Sequence, residues 1–290
     1  MGKVAIYLRV QKISFMVGIY VNIIAVLLQV RLWRSKDEFF TSSSVQHIID
    51  LLMCILSIME ISNRGLTDKK YGIFQCYGIS SHGILWSFLT MKIYMHFFCA
   101  MYRFIRLLLP SMEIQVRTQT FLKILLVTIP VSGIMAFIPH VFKKKFDIYT
   151  GHCETSSGFY ASGTSLVLLR VQILFGLMYC FYLPMFGSMY MYRNILRILK
   201  MNRNIAKWRQ VRTDYILDIL LTFLTALPVR TVTFIVLYCG ISLGPSASKI
   251  INHAVYLMQS YTILYPVLCI LFKKRINRVL RICLCKRAKK

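Results

Sequence analysis

The sequence predicts an all-α integral membrane protein: a seven-transmembrane helix bundle forming one domain over residues 1–290. Three observations predict it. The 290 residues are 57% hydrophobic, with a mean hydropathy of +0.60 and 19 Phe, 17 Tyr and 15 Met, more apolar surface than a water-soluble fold can hide. The chain also carries 36 Lys and Arg against 10 Asp and Glu, a formal charge of +26. Those charges sit mostly between apolar runs, each close to the ~20 residues that carry a helix across ~30 Å of hydrocarbon. The composition excludes a disordered chain, a collagen-like chain and a small disulfide scaffold. A nucleic-acid partner is excluded because the basic residues form strips between spans rather than one soluble face.

The spans run in order. The first covers about 13–32 and contains Asn22. The second, about 45–62, is the weakest because it holds Asp50 and Glu60. The third, about 83–108, carries Lys92 and, near its end, Arg103. The fourth covers about 121–142 and the fifth about 168–192. The sixth, about 215–240, contains Pro228, and the seventh, about 251–272, contains Pro266. Helices satisfy their own backbone inside lipid, and these runs are too long and too uniformly apolar for barrel strands.

Charge sets the orientation. Segments 31–36, 103–123, 193–212 and 273–290 hold 3, 4, 7 and 9 basic residues, 23 of the 36. The excess predicts a multi-pass protein of the cell membrane with its N-terminus outside and its C-terminus in the cytoplasm. The inner strips predict attraction to anionic inner-leaflet lipids. Cys283 and Cys285, close to the membrane, are candidate palmitoylation sites.

Landmark residues at ordered positions then resemble the rhodopsin-like (class A) G-protein-coupled receptors. Asn22 and Asp50, 28 residues apart, resemble the polar pair of the first two helices. Tyr102-Arg103-Phe104 with Pro110 is similar to the Asp-Arg-Tyr motif, with Tyr in place of the acid. Phe181, Pro184, Tyr192 and Ile195 follow the fifth-helix pattern, and Pro228 the sixth-helix kink, with Ala226 where the family usually has a Trp. Tyr265-Pro266-Val267-Leu268-Cys269 resembles a degraded Asn-Pro-x-x-Tyr. The match covers nearly the whole chain as a divergent member of no identified subfamily.

The resemblance implies a short cytoplasmic amphipathic eighth helix over about 274–284 and a disulfide between Cys76 and Cys153. It implies coupling to heterotrimeric G proteins through a switch made of Tyr102, Arg103, Phe104, Tyr192, Ala226, Pro228, Tyr265, Pro266 and Cys269. With Tyr102 replacing the usual acid, and Lys207, Arg209 and Arg212 at the base of the sixth helix, Arg103 is expected to be poorly restrained and the receptor basally active. Asp214 is the one acid nearby. Where the family holds sodium, Lys92 is expected to face Asp50 beside Asn22, unless it snorkels to the surface instead.

Candidate ligand-pocket residues are Glu60, His82, Leu85, Arg170, Arg230, His253 and Tyr256. Leu85 stands where amine receptors of the family hold an Asp, which argues against an amine ligand. Arg170 and Arg230 would suit an acidic small molecule, a lipid or an acidic peptide, though the same charges could meet headgroups or water. No catalytic constellation, metal-binding spacing or cofactor motif is present, so the chain reads as no enzyme. Self-association as a dimer stays open. The competing reading is a seven-span protein that acts by heteromerisation or trafficking without signalling.

Overall fold

The computed structural model describes residues 2–33, 38–62, 72, 76, 83–108, 118–141, 144–146, 153–155, 167, 170–171, 174–239 and 245–273. Apolar runs with few helix breakers give long helices. These are α1 (Gly2–Trp33), α2 (Glu38–Ser62), α3 (Gly83–Leu108) and α4 (Thr118–Val141), followed by α5 (Leu183–Met201). After them come α6 (Ile205–Asp214), α7 (Leu221–Cys239) and α8 (Pro245–Phe272). Strands β1 (Lys144–Phe146) and β2 (Cys153–Thr155) pair antiparallel between α4 and α5, with Lys145 opposite Glu154.

Two rods contain a π-helical turn. Met178–Tyr182 leads into α5 just before Pro184, whose missing N–H already interrupts the ladder. Tyr215–Leu220 joins α6 to α7 without breaking the rod. The rods α5 and α6 are linked only by Asn202, Arg203 and Asn204. Asn204 N–H closes the end of α5 by donating to Leu199 O at 3.1 Å, and the Asn204 side chain caps α6 by accepting from Lys207 N–H at 3.2 Å. Arg203 takes the left-handed backbone between them, at φ 52°. The basic strip from Arg193 to Arg212 therefore lies on two helices and a tight turn.

Among the described residues, six stretches are long and apolar enough to cross a membrane: Arg9–Val30, Ser44–Ser62, Gly83–Leu107, Leu174–Met201, Ile205–Val232 and Val255–Phe272. The 24-residue α4 carries a shorter apolar run, Leu126–Ile138. The distribution of side chains is inverted relative to a water-soluble protein. Tyr20, Leu126 and Leu224 are 70%, 74% and 63% exposed, while His47, Asp50 and Lys92 are each at 0%. Lipid tails would cover the first group and spare the second from hydrocarbon. The chain is thus an all-α, multi-pass helical membrane protein.

Helix neighbours place the core. The α1 helix packs on α2 and α8, α8 on α2 and α7, and α3 on α2, α4 and α5. The main apolar cluster joins Met53, Trp86, Leu89, Ile93, Phe181, Met185, Ile195, Ala226 and Val229. At Gly18 the α1–α8 and α1–α2 seams close tightly: a Cβ there would lie 2.8 Å from Ile263 Cγ1 and 2.9 Å from Cys54 Sγ. Small residues at such seams let membrane helices approach.

Candidate functional site

The site is a chain of buried polar groups that begins in the middle of the bundle. Lys92 Nζ of α3 donates to both Asp50 oxygens of α2, at 2.6 Å and 2.7 Å, with both side chains fully buried. Two rings of α8 face the same ammonium: Tyr261 and Tyr265 have centroids 4.1 Å and 4.3 Å from Nζ. A carboxylate and two π faces thus replace the water that Lys92 loses. Asn22 lies in the same layer but turns elsewhere, donating to Gly18 O at 2.9 Å and Thr262 O at 3.0 Å, so it ties α1 to α8 rather than joining the ion pair.

Tyr265 carries the network towards the end of the bundle that holds the basic strip. Its hydroxyl lies 2.7 Å from Gln46 Oε1 and 2.8 Å from Asp218 Oδ1, and Gln46 Nε2 lies 3.0 Å from His96 Nδ1. One phenolic proton cannot serve two acceptors. A Gln46 amide turned to donate to Tyr265, and to accept from His96 Nδ1–H, gives each of these three contacts one donor and one acceptor. Asp218 also accepts from Lys273 Nζ at 3.0 Å, and Lys273 lies 3.8 Å from Asp214 Oδ1. Burial alone would push the Lys273 ammonium down, but Asp218, helped by Asp214, carries it above its ordinary value. Lys273 therefore stays charged across the physiological range.

Asp214 completes the chain. Its Oδ2 lies 2.8 Å from Arg103 Nη2, and Arg103 Nη1 donates to the Tyr192 hydroxyl at 2.9 Å. This corrects the expectation of a poorly restrained Arg103. The carboxylate comes from Asp214, where α6 meets its π-turn. The repulsion foreseen from the basic strip does not reach Arg103: Lys207, Arg209 and Arg212 are exposed, and the Arg212 guanidinium lies over Trp208 at 5.1 Å. Tyr102 is buried in a separate cluster with Tyr94, Met95 and Phe98, and Arg106 covers its ring at 4.8 Å.

A second locus lies beyond Pro228. Arg230 of α7 donates from Nη2 to Thr90 Oγ1 at 3.0 Å. Its guanidinium lies 4.1 Å from the Trp86 ring centroid and 5.8 Å from that of Phe181. Its Nε is buried with no hydrogen-bond partner. At ~1.5 Å per residue, Arg230 is ~24 Å along the rod from Asp214, in the opposite half of the bundle.

The other expected pocket residues do not join Arg230. Glu60 is buried at the end of α2, Tyr256 meets the edge of Phe15 at 6.2 Å, and Leu85 is core. Among the described residues, no hydrogen bond or ion pair links Arg230 to Glu60, Arg170 or Tyr256. In the expected switch, Ala226 is fully buried in the main cluster and Phe104 packs against it, while Cys269 is a buried free thiol beside Tyr261 and Tyr265. Pro228 and Pro266 lie inside their helices. Cys76 is disulfide-bonded. His82, Cys283, Cys285, the 274–284 helix and the side chains of Cys153 and His253 lie outside the described residues.

Asp218, Lys273, Gln46 and Thr90 were not foreseen. Asp214 and Asp218 gave a usable signal: two acids one helical turn apart, in a chain with only 10. No protein-family model matches the chain, and no curated protein matches it in sequence.

Proposed function

We propose that this chain is a divergent seven-span receptor of the rhodopsin-like type, passing a ligand-driven or basal signal to heterotrimeric G proteins. Arg103 carries the reading. It lies near the end of α3, gripped by Asp214 and Tyr192 from the two helices that must part if a G protein is to insert beside it. With the excess of positive charge at that end taken as cytoplasmic, Arg103 faces the inner leaflet and the N-terminus is outside. The Asp50–Lys92 pair neutralises the layer in which the family holds sodium, so ligand binding should be insensitive to sodium. The Cys76–Cys153 bridge, the 274–284 helix and palmitoylation at Cys283 and Cys285 belong to the same proposal.

The closed network favours one alternative, a protein that acts by heteromerisation and never releases Arg103. A ligand-free G-protein dissociation panel separates the two. Asp214→Asn should raise dissociation above the unmodified chain, and Arg103→Ala should abolish it. No dissociation by any of the three forms, at equal surface abundance, would overturn the receptor reading in favour of the alternative.

A further inference from the structure

Among the described residues, Arg230 is a bundle charge that no carboxylate meets. By contrast, Lys92 meets Asp50, while Arg103 and Lys273 meet Asp214 and Asp218. Around Arg230, Thr90 accepts one hydrogen of Nη2, Trp86 covers one face of the guanidinium, and Nε–H is buried without a hydrogen-bond partner. An ionised side chain inside a membrane is expensive and ordinarily has a partner. Arginine cannot relieve the cost by losing its proton.

We infer that Arg230 is the anchor of a binding site for an organic carboxylate with an apolar body. Charge selects a monoanion. A single guanidinium with no second cation in contact is neutralised by one negative charge, whereas a phosphate dianion would leave charge uncompensated in a poorly solvated place. Geometry selects an oxyanion, because a carboxylate oxygen is the natural acceptor for Nε–H and the guanidinium's flat fork. The surroundings select the body. Trp86 and Phe181, whose rings face the guanidinium, belong to the main apolar cluster with Leu89 and Val229, so a ligand reaching the arginine there must be greasy or aromatic. Trp86 holds the guanidinium in place, which lowers the ordering cost of binding. That such an acid is the signal rests on the receptor reading; that it binds does not.

The full chain in phosphatidylcholine nanodiscs tests this by thermal unfolding. The probes are decanoate, which can enter from the bilayer, and indole-3-acetate, which enters from water, each beside its uncharged methyl ester. At least one acid should raise Tm more than its ester, and which acid does so identifies the source. Arg230→Gln should remove the preference, weakening the acid by about tenfold or more. Arg230→Lys, which keeps the charge and loses the fork, should retain part of it. Acids and esters acting alike on the unmodified chain would overturn the inference without recourse to any variant. So would a preference that survives Arg230→Gln, or stabilisation reproduced by exchanging gluconate for chloride alone. No G protein is present, so acid binding without signalling would sink only the receptor reading, and signalling without acid preference only this one.

Discussion

Lys92 of α3 and Tyr265 of α8 meet with the ammonium 4.3 Å from the ring centroid, while the Tyr265 hydroxyl lies 2.8 Å from Asp218 Oδ1. One side chain therefore touches two ionic groups: its face serves the Asp50–Lys92 pair and its edge serves the Asp214–Asp218–Lys273 group. The two clusters form one continuous path between α2, α3, α8 and the α6–α7 rod.

The Asp50–Lys92 pair should respond asymmetrically to substitution. Lys92→Met or Asp50→Leu alone leaves a buried charge without its counter-ion, at about 3–5 kcal/mol. The double variant removes both charges and should recover most of that loss. Melting of the purified protein in detergent checks this, and a double variant no more stable than the singles would contradict the pairing.

Loss of the Tyr265 hydroxyl should loosen the basic end without dismantling the middle. Tyr265→Phe keeps the ring under Lys92 but takes one hydrogen-bond partner from Asp218, a cost of about 1–3 kcal/mol. Tyr265→Leu loses both contacts and should be worse. Equal melting temperatures for the two variants would show that the ring contact contributes nothing.

Arg203 holds a left-handed backbone that glycine adopts freely. Arg203→Gly should leave stability unchanged or raise it by up to about 1 kcal/mol, whereas Arg203→Val should lower it by a similar amount or more. Unfolding curves of the two variants should therefore bracket that of the parent.

Side chains added at Gly18 should wedge α1 away from α8 and α2. Gly18→Val meets Ile263 and Cys54, and overpacking of this kind costs about 1–3 kcal/mol. Because Asn22 reaches across the same seam to Thr262 O, accelerated hydrogen exchange at Asn22 and its neighbours should accompany the lower Tm.

Much of the fold was legible because apolar runs of span length have few uses outside a membrane. The lengths were less so: α1 begins well before the expected span of about 13–32 and α5 ends well after that of about 168–192, since basic residues propagate a helix as readily as apolar ones. Asp50 and Lys92 could be weighed together from sequence because a charge in an apolar span needs a counterpart. That the rings of Tyr261 and Tyr265 would face Lys92 was not legible, since no spacing rule says that a ring will present its face. The π-turns left no trace in composition. They arise from a slip in backbone hydrogen bonding, and the one at Tyr215–Leu220 follows directly on Asp214 and contains Asp218. Lys273 looked like one more charge of a basic tail, and only folding returns it to Asp218.

The link between α5 and α6 sets a mechanical limit. Three residues, or four Cα–Cα steps, can stretch to about 15 Å at most. Whatever pulls Arg103 and Asp214 apart cannot swing the α6–α7 rod as a free lever. The base of α5 must travel with it, and the pair moves as a hinged hairpin whose stroke is capped by its own tether.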